Sequence, residues 1–422
     1  MWEKLKLIFS DPNLRRRIFF VLGAMVVFRI GANIAIPGVD QAALARLFSG
    51  ESGQFLSFLN LFAGGGMSNL SIMMLGVGPY ITATIILQLL TMIFPSIKEL
   101  YQGEGEAGRR KFNQYSRLLT VPLAIFQGFG LLALLSRAGV LVDLSMMDRV
   151  VNIAIVVAGT MLLTWIGELI SEYGIGNGVS LLIFAGIVAQ VPSSAAQLYT
   201  TFTPDQLPIY LAFIVASIVI IAGIVLVTEA ERPIPMTYAK QVRGNKMFGG
   251  SSTYLPIRLN NAGVMPIIFA LSILMFPQMI VNFFGPSATG LWASAIDVLR
   301  FIVSNVWVNG ALYFLFVFAF TFFYSAVTFD PESIATNLQK SGAFVPGVRP
   351  GRSTAEFLGK TLYRLTLIGA IFLGIVAVLP TIFQGWTGIS TLAIGGTSIL
   401  IVVSVAIDFL KQLEAQASMR EY

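Results

Sequence analysis

The sequence predicts an all-α polytopic membrane protein with ten transmembrane helices in two inverted five-helix halves. An apolar composition, ten apolar segments of spanning length and a short repeated motif lead to this prediction. Of the 422 residues, 56% are hydrophobic and 11% are charged, whereas soluble globular chains carry about 25% charged residues. With a mean hydropathy of +0.80, much of the surface must face lipid.

Ten segments approach the roughly 20 apolar residues that a spanning helix needs. They cover about residues 18–36, 71–94, 118–135, 150–170, 179–195, 208–228, 263–284, 308–329, 362–380 and 388–410. The first segment follows three arginines and ends at Pro37-Gly38 without a small-residue cleavage motif. We therefore expect an uncleaved first helix and not a signal peptide.

The distribution of Lys and Arg predicts the orientation of the chain, because cytoplasmic loops of membrane proteins are enriched in both. With the N-terminus in the cytoplasm, the inside segments hold 22 of the 27 basic residues and the outside segments hold four. The inside segments are 1–17, 95–117, 171–178, 229–262, 330–364 and 411–422. An even number of helices then returns the C-terminus to the cytoplasm.

A short motif occurs twice, at the start of the second and of the seventh predicted helix. Residues 76–81 and 263–268 both read Gly-Val-x-Pro-x-Ile. These are corresponding places in two halves of five helices, and an odd number per half requires opposite topologies. Glycine- or proline-interrupted segments at matching places point to a central site. We therefore divide the chain into an N-terminal half, 1–200, and a C-terminal half, 201–422.

Glycines and polar residues interrupt the apolar pattern before the second helix, in "FAGGGMSNLS" at 62–71. Irregular backbone at membrane depth is tolerated only inside protein or beside an aqueous cavity. The preceding stretch, 54–62, is too short to span the bilayer. It is either a short amphipathic helix folded back into a water-accessible interior or a helix lying at the membrane interface.

Missing residue types exclude most familiar catalytic chemistry. The chain has no cysteine and no histidine, so thiol nucleophiles, imidazole bases and most zinc sites are excluded. The ionisable residues near the spans are Arg29, Glu168 and Asp408, and no carboxylate lies in the middle of a span. An ion-coupled carrier normally keeps such groups there. We expect no enzyme activity, cofactor or metal, and an inverted-repeat secondary transporter is the alternative.

Two inside loops, 229–262 and 330–364, are long, basic and rich in Pro and Gly. Retention of positive charge in the cytoplasm accounts for their charge. It does not account for their length, because most connections have about 4–6 residues. We expect these loops to form a docking surface for a cytoplasmic partner.

Long stretches in order along the chain resemble the SecY/Sec61-alpha family, the channel-forming subunits of protein translocases. They are "FRIGANIAIPGVD" (28–40), "GVGPYITATIILQLLT" (76–91), "GIGNGVSLLIFAGIVA" (174–189), "YLPIRLNNAGVMPIIFA" (254–270), "LQKSGAFVPGVRPG" (338–351) and "GGTSILIVVSVAIDF" (395–409). The resemblance implies a central pore between the two halves. It also implies a channel for unfolded secretory proteins that inserts membrane proteins sideways into the cytoplasmic (inner) membrane of a bacterium.

The resemblance assigns roles to particular positions of this sequence. The pore ring would consist of Val77, Ile81, Val179, Ile183, Ile268 and Ile401. The plug would be the short helix at about 55–65, with Asn60 and Phe62 in it and Gly64, Gly65 and Gly66 as its hinge. Thr82 and Gln127 would be polar members of a lateral gate between helices two and three and helices seven and eight. A signal sequence would open that gate and release the plug.

The family also implies partners for the basic loops. The motor ATPase SecA and the ribosome would bind at Arg243, Lys246 and Arg349, with ribosomal RNA contacted mainly through its phosphates. The family often has a basic pair after Gly244, and here Asn245 replaces its first member. Signal-sequence-bearing proteins would be the substrates, SecE and SecG the further subunits, and membrane lipid the surroundings.

Overall fold

The computed structural model describes residues 11–49, 56, 59–60, 63–102, 105–141, 145–200, 204, 207–238, 241–243, 246–248, 252–284, 291–387 and 390–418. Within them, the helices of the N-terminal half are α1 Pro12–Gly31, α2 Gln41–Ser49, α3 Gly78–Ile93, α4 Pro95–Gln102, α5 Gly105–Arg137, α6 Met146–Tyr173 and α7 Gly178–Thr200. Those of the C-terminal half are α8 Leu207–Glu229, α9 Met265–Phe284, α10 Leu291–Ser304, α11 Val306–Thr328, α12 Pro331–Lys340, α13 Arg352–Thr387 and α14 Ser390–Ser418.

Every one of the ten predicted spans contains a helix, which is α1, α3, α5, α6, α7, α8, α9, α11, α13 or α14. In the described part of the chain, five helical stretches are long and apolar enough to cross a membrane. They are Ala107–Arg137, Met146–Tyr173, Leu207–Glu229, Val306–Lys340 and Arg352–Phe383. The pair α3 and α4, bent by 118°, passes the same test as a sixth. The fold is that of a multi-pass helical membrane protein, and the count of ten spans fits it.

The second predicted span begins later than the apolar pattern indicated. Residues 71–77 form turns, and α3 starts only at Gly78 with Pro79 in its first turn. Proline is tolerated there because the first backbone N–H groups of a helix have no partner within the helix. The apolar residues before Gly78 are buried in the turns that precede α3, so hydropathy alone placed the helix start too early.

Short-range capping fixes the ends of several helices. Ser145 and Asp148 form a capping box at the start of α6, with Asp148 N donating to Ser145 Oγ at 3.2 Å and Ser145 N to Asp148 Oδ2 at 3.1 Å. Asn305 and Asp330 accept from the first backbone N–H groups of α11 and α12. Such caps are each worth about 1 kcal/mol.

Strands occur in the loop regions, which the sequence left without secondary structure. They are β1 Glu231–Tyr238, β2 Gln241–Arg243, β3 Lys246–Phe248, β4 Ser252–Arg258 and β5 Ala343–Phe344. Strand β1 pairs antiparallel with β4 on one side and with β5 on the other, and β2 pairs with β3. One sheet therefore joins the loop 229–262 to the loop 330–364.

The two halves of the bundle meet along two seams. Helix α9 of the C-terminal half contacts α3 and α5, and helix α14 contacts α7. Within the C-terminal half, α11 packs against α13 and α9, and α14 against α8 and α13. The largest apolar cluster lies where these seams converge, and it contains side chains from both halves.

Candidate functional site

The two copies of the repeated motif have the same local structure. Gly76 and Gly263 adopt φ values of 58° and 60°, a left-handed conformation that only glycine adopts readily. In both copies the helix begins two residues later, at Gly78 and at Met265. The glycine therefore turns the chain into the start of α3 and of α9. This shared geometry supports the interpretation of the motif as an internal repeat.

The six branched aliphatic residues expected to form a ring lie in one apolar cluster. Val77, Ile81, Ile183, Ile268 and Ile401 are each at most 7% exposed, and the half-buried Val179 packs against the same cluster. The isoleucines at the sixth position of the motif, Ile81 and Ile268, enter the cluster from opposite halves. Although α3, α7, α9 and α14 are distant in sequence, their apolar side chains contribute to the same cluster.

A cavity of about 730 Å³ opens beside this cluster. Its wall combines Ile81 and Val179 with polar side chains such as Gln88 and Asn177, and α9 contributes Met265. A water-accessible volume thus adjoins the predicted ring, and residues of both halves line it.

An ion pair lies in the wall of this cavity. Arg117 Nη1 on α5 is 3.2 Å from Glu168 Oε2 on α6, with the side chains 41% and 24% exposed. Glu168 was one of the few ionisable residues near a span in the sequence, and its partner Arg117 lies on a neighbouring helix of the same half. This pairing accounts for a carboxylate near the end of a membrane helix without any need for an ion-coupling role.

The interrupted stretch before α3 folds into buried turns, which we name the turn segment (Asn60 and residues 63–77). Residues 63–67 are all buried, including Gly64, Gly65 and Gly66. Gly64 and Gly65 have φ values of 59° and 87°. Phe62 and most of 54–62 lie outside the described residues, whereas Leu56 and Asn60 are buried. This burial favours the inward-folded alternative over a helix at the membrane interface.

The turn segment satisfies its backbone groups within the protein. Asn60 Oδ1 accepts from Met67 N at 3.0 Å and from Ser68 N at 3.1 Å. Ile72 N donates to Ile34 O at 2.9 Å, and Ile36 N donates to Leu70 O at the same distance. Irregular backbone can persist at membrane depth when it is paired in this way.

Two side chains that the sequence analysis did not assign hold the turn segment from outside. Gln190 on α7 exchanges hydrogen bonds with Asn60, whose Nδ2 donates to Gln190 Oε1 at 3.2 Å while Gln190 Nε2 donates to Asn60 O at 3.4 Å. Arg29 on α1 donates from Nη1 to Gly64 O at 3.1 Å. The contacts link residues up to 130 positions apart. The only sequence signal was an arginine within an apolar helix.

The two residues expected at the lateral gate lie on neighbouring helices. Thr82 is buried on α3 and donates from Oγ1 to Gly78 O at 3.0 Å, within its own helix. Gln127 is half-buried on α5. Both helices contact α9, which would lie on the other side of the predicted gate.

The basic residues expected to bind partners lie on the loops joined by the sheet. Arg349 is exposed, and its carbonyl accepts a hydrogen bond from Thr354 Oγ1 at 2.8 Å. Arg243 and Lys246 are partners in the backbone register of the β2–β3 pair. Residues 244–245 between them lie outside the described residues.

The two loops share an apolar core of their own. We name this unit the cap: β1, β4, β5, α12 and the start of α13. Its core contains Ile234, Met236, Ile257, Val345, Leu358 and Leu362, all buried. Residues of both loops contribute, so what the sequence presented as two separate docking loops is one folded unit.

Comparison with known proteins agrees with this arrangement. The SecY family model matches residues 71–410. Protein translocase subunit SecY of Thermotoga maritima is 42% identical over 432 residues, covering 100% of this chain and 97% of that protein. Protein translocase subunit SecY of Mycobacterium tuberculosis H37Rv is 40% identical over 430 residues, covering 97% and 96%.

Solved structures show the same fold. A structure of a protein-conducting channel superposes with a TM-score of 0.63 at 19% identity, covering 96% of this chain and 92% of that one. A SecY structure described for the role of its plug domain in the closed state gives a TM-score of 0.66, also at 19% identity and with the same coverage. Together with the full-length relatives and the family match, this shows that the chain belongs to the SecY family.

Proposed function

We propose that this chain is the protein-conducting channel of a Sec translocase, which moves unfolded secretory proteins across the membrane and releases membrane proteins sideways into lipid. The observation that carries the proposal is that six branched aliphatic side chains from both halves belong to or pack against one apolar cluster, beside a water-accessible cavity. An apolar constriction stops ions by excluding water and needs no ion-binding group. An extended polypeptide can pass such a constriction because an apolar wall requires no particular charged or hydrogen-bonding group from the passing chain.

In this proposal the plug is the short helix at about 55–65, to which Asn60 and the start of the turn segment belong. The ring consists of Val77, Ile81, Val179, Ile183, Ile268 and Ile401. In the closed state both obstruct the path, and the α3/α5 seam with α9 is shut. A signal sequence is a helix with about 7–15 apolar residues in its core. At the seam, next to Thr82 and Gln127, it exchanges water for lipid and protein contact, which is favourable by about 25 cal/mol per Å² of apolar surface. That gain shifts the equilibrium from the closed to the open state.

The docking surface for the partner that drives transport consists of the cap, the β2–β3 pair and the segment around Arg349, all of which lie in the same two loops. SecA or a translating ribosome would bind at Arg349, with Arg243 and Lys246 contributing, and ribosomal RNA would be met through its phosphates. SecE and SecG would complete the complex within lipid. A structural relative comes from a canine ribosome–channel complex. The chain itself hydrolyses nothing, since the driving partner supplies the energy.

The charge distribution supports a bacterial cytoplasmic (inner) membrane location with both termini in the cytoplasm. The cap then projects into the cytoplasm, where SecA and ribosomes are found. The secondary-transporter alternative is not favoured, because Glu168, beside the cavity, is paired with Arg117.

A stalled-precursor crosslinking experiment tests this function. The chain has no native cysteine, so Ile183→Cys and Ile401→Cys each introduce a single thiol into the ring. The complex with SecE and SecG is reconstituted in liposomes with SecA, ATP and a precursor that carries one cysteine before a folded C-terminal block. We expect a disulfide between the stalled precursor and either ring thiol.

The matched control is Val191→Cys, which lies on α7 like Ile183 but is 57% exposed. It should form no disulfide with the precursor. Crosslinking at Val191 instead of the ring, or stalled transport without a crosslink at either ring position, would show that the polypeptide takes another route.

A further inference from the structure

One face of α7 connects the predicted ring to the turn segment. Val179, Ile183, Gly186 and Gln190 are spaced by four, three and four residues, which places them along one side of a helix. Val179 and Ile183 belong to the ring cluster, while Gly186 and Gln190 contact the turn segment. With a rise of 1.5 Å per residue, Gln190 lies about 10 Å along the helix axis from Ile183.

Backbone meets backbone at Gly186 and Gly64. A Cβ atom added to Gly186 would overlap the Cα of Gly64, and one added to Gly64 would overlap the ring of Phe28 on α1. Glycine at position 186 therefore lets the turn segment lie against α7, and glycine at position 64 lets it lie against Phe28 of α1. No rotamer change relieves the overlap at Gly186, since the obstructing atoms of Gly64 belong to the main chain.

Polar contacts hold the turn segment against α7 and α1. Asn60 uses its Oδ1 to close the turn on Met67 and Ser68, and its Nδ2 and carbonyl to bind Gln190. Arg29 binds the carbonyl of Gly64 from α1. Asn60 is only 7% exposed, so separating it from Gln190 in a dry interior would leave polar groups unpaired. Once water enters, it can replace these bonds, and the separation becomes easier.

We propose that Gln190, Gly186 and Arg29 form a lock that positions the plug on α7 and sets the equilibrium between the closed and the open channel. The lock rests on the proposed channel function and adds the residues that hold its closed state. It is strong while the interior is dry and weakens when substrate insertion admits water. These residues act on the plug and not on the translocating polypeptide.

A thiol-accessibility assay with a double-mutant cycle tests the lock. Met67→Cys places one reporter in the turn segment, at a fully buried position. Its labelling by a membrane-impermeant maleimide is measured on the full complex in proteoliposomes, with the wild-type lock, Asn60→Ala, Gln190→Ala and both together. We expect each single variant to raise the resting labelling rate about tenfold, equivalent to about 1.4 kcal/mol. We expect the double variant to label more slowly than the product of the two single effects would give, because both single variants remove the bond from Asn60 Nδ2 to Gln190 Oε1.

Variants at three further positions separate a lock from a general fold defect. Gly186→Ala should raise labelling as Gln190→Ala does, while Arg29→Lys should retain more of the closed state than Arg29→Ala because the cation is kept. Val191→Ala, next to Gln190 but exposed, should leave labelling unchanged. Lock variants should also export precursors with impaired signal sequences faster than the wild type while transporting normal precursors at full rate. A fold defect would slow both.

The results distinguish the lock from the channel function on which it rests. If the wild-type complex moves no precursor, the channel function fails. If it transports normally but the lock variants label at the wild-type rate, the lock is wrong and the function stands. Additive effects of Asn60→Ala and Gln190→Ala on a logarithmic scale would also overturn the lock.

Discussion

Replacing Leu358 by alanine should loosen both cytoplasmic loops, although the residue belongs to only one of them. Leu358 lies on α13, is fully buried in the cap core, and shares that core with Ile234 and Met236 of β1. Removing a fully buried leucine side chain costs about 3 kcal/mol, from lost transfer free energy and the cavity left behind. The cap projects out of the lipid in the proposed orientation, so this estimate from water-soluble proteins applies.

The assay is hydrogen exchange by mass spectrometry on the complex in lipid nanodiscs. A loss of 3 kcal/mol corresponds to a rise in exchange through cap opening of roughly a hundredfold. The rise should appear in β1 and β4 as well as at the start of α13. Tyr254→Ala is the control, because it removes a larger side chain that is 65% exposed. Its effect should stay within about 0.5 kcal/mol. Faster exchange at the start of α13 with unchanged exchange in β1 and β4 would refute the shared core.

Three other changes probe the ion pair, the ring and the docking surface. Arg117→Ala should lower the stability of the detergent-solubilised complex by about 1 kcal/mol. Adding Glu168→Gln should recover part of that loss, because no carboxylate is then left unpaired. A thermal melt in which the double variant is less stable than Arg117→Ala would contradict this. Ile183→Ser should raise resting ion conductance in planar bilayers while Ile183→Val should not, and equal conductances would argue against sealing by dewetting. Arg349→Ala should leave the melting temperature unchanged, because its side chain is exposed. It should lower SecA-driven transport by at least about tenfold. Unaltered transport would show that Arg349 is not part of the docking surface.

The helices and the repeat were predictable because they depend on local patterns. Apolar segments of spanning length located every long helix, and the Gly-Val-x-Pro-x-Ile motif marked two helix starts whose glycines have nearly the same φ. The start of α3 was placed too early because buried turns and a buried helix have similar hydropathy. Hydropathy measures burial, and it does not by itself distinguish a helix from a paired turn.

The sheet of the cap was missed for a different reason. Pro233 and Pro235 lie in β1, and Pro256 lies in β4. Proline cannot donate to a strand ladder, so three prolines in two short segments argue against strands. The pairing is tolerated because β4 is an edge strand and β5 covers only the end of β1. Apolar alternation at Ile234 and Met236 was the signal for β1, and the prolines obscured it.

The contacts of the turn segment could not be derived from one sequence. Asn60 and Gln190 are 130 positions apart, and no pattern in the sequence links the two. Arg29 was visible as a charge in an apolar helix, but its partner is a backbone carbonyl, which leaves no trace in the sequence. Long-range polar pairs of this kind become visible only when the fold places their helices side by side.

The shared geometry of the two motif copies has a consequence for the robustness of the constriction. Each half introduces its own isoleucine, Ile81 or Ile268, after an equivalent glycine and at an equivalent point of a helix. A lesion at one copy leaves the other intact, since the two helix starts are formed independently. Leakage caused by a single substitution at either copy should therefore grow in small steps, because the isoleucine of the other half remains in the proposed constriction.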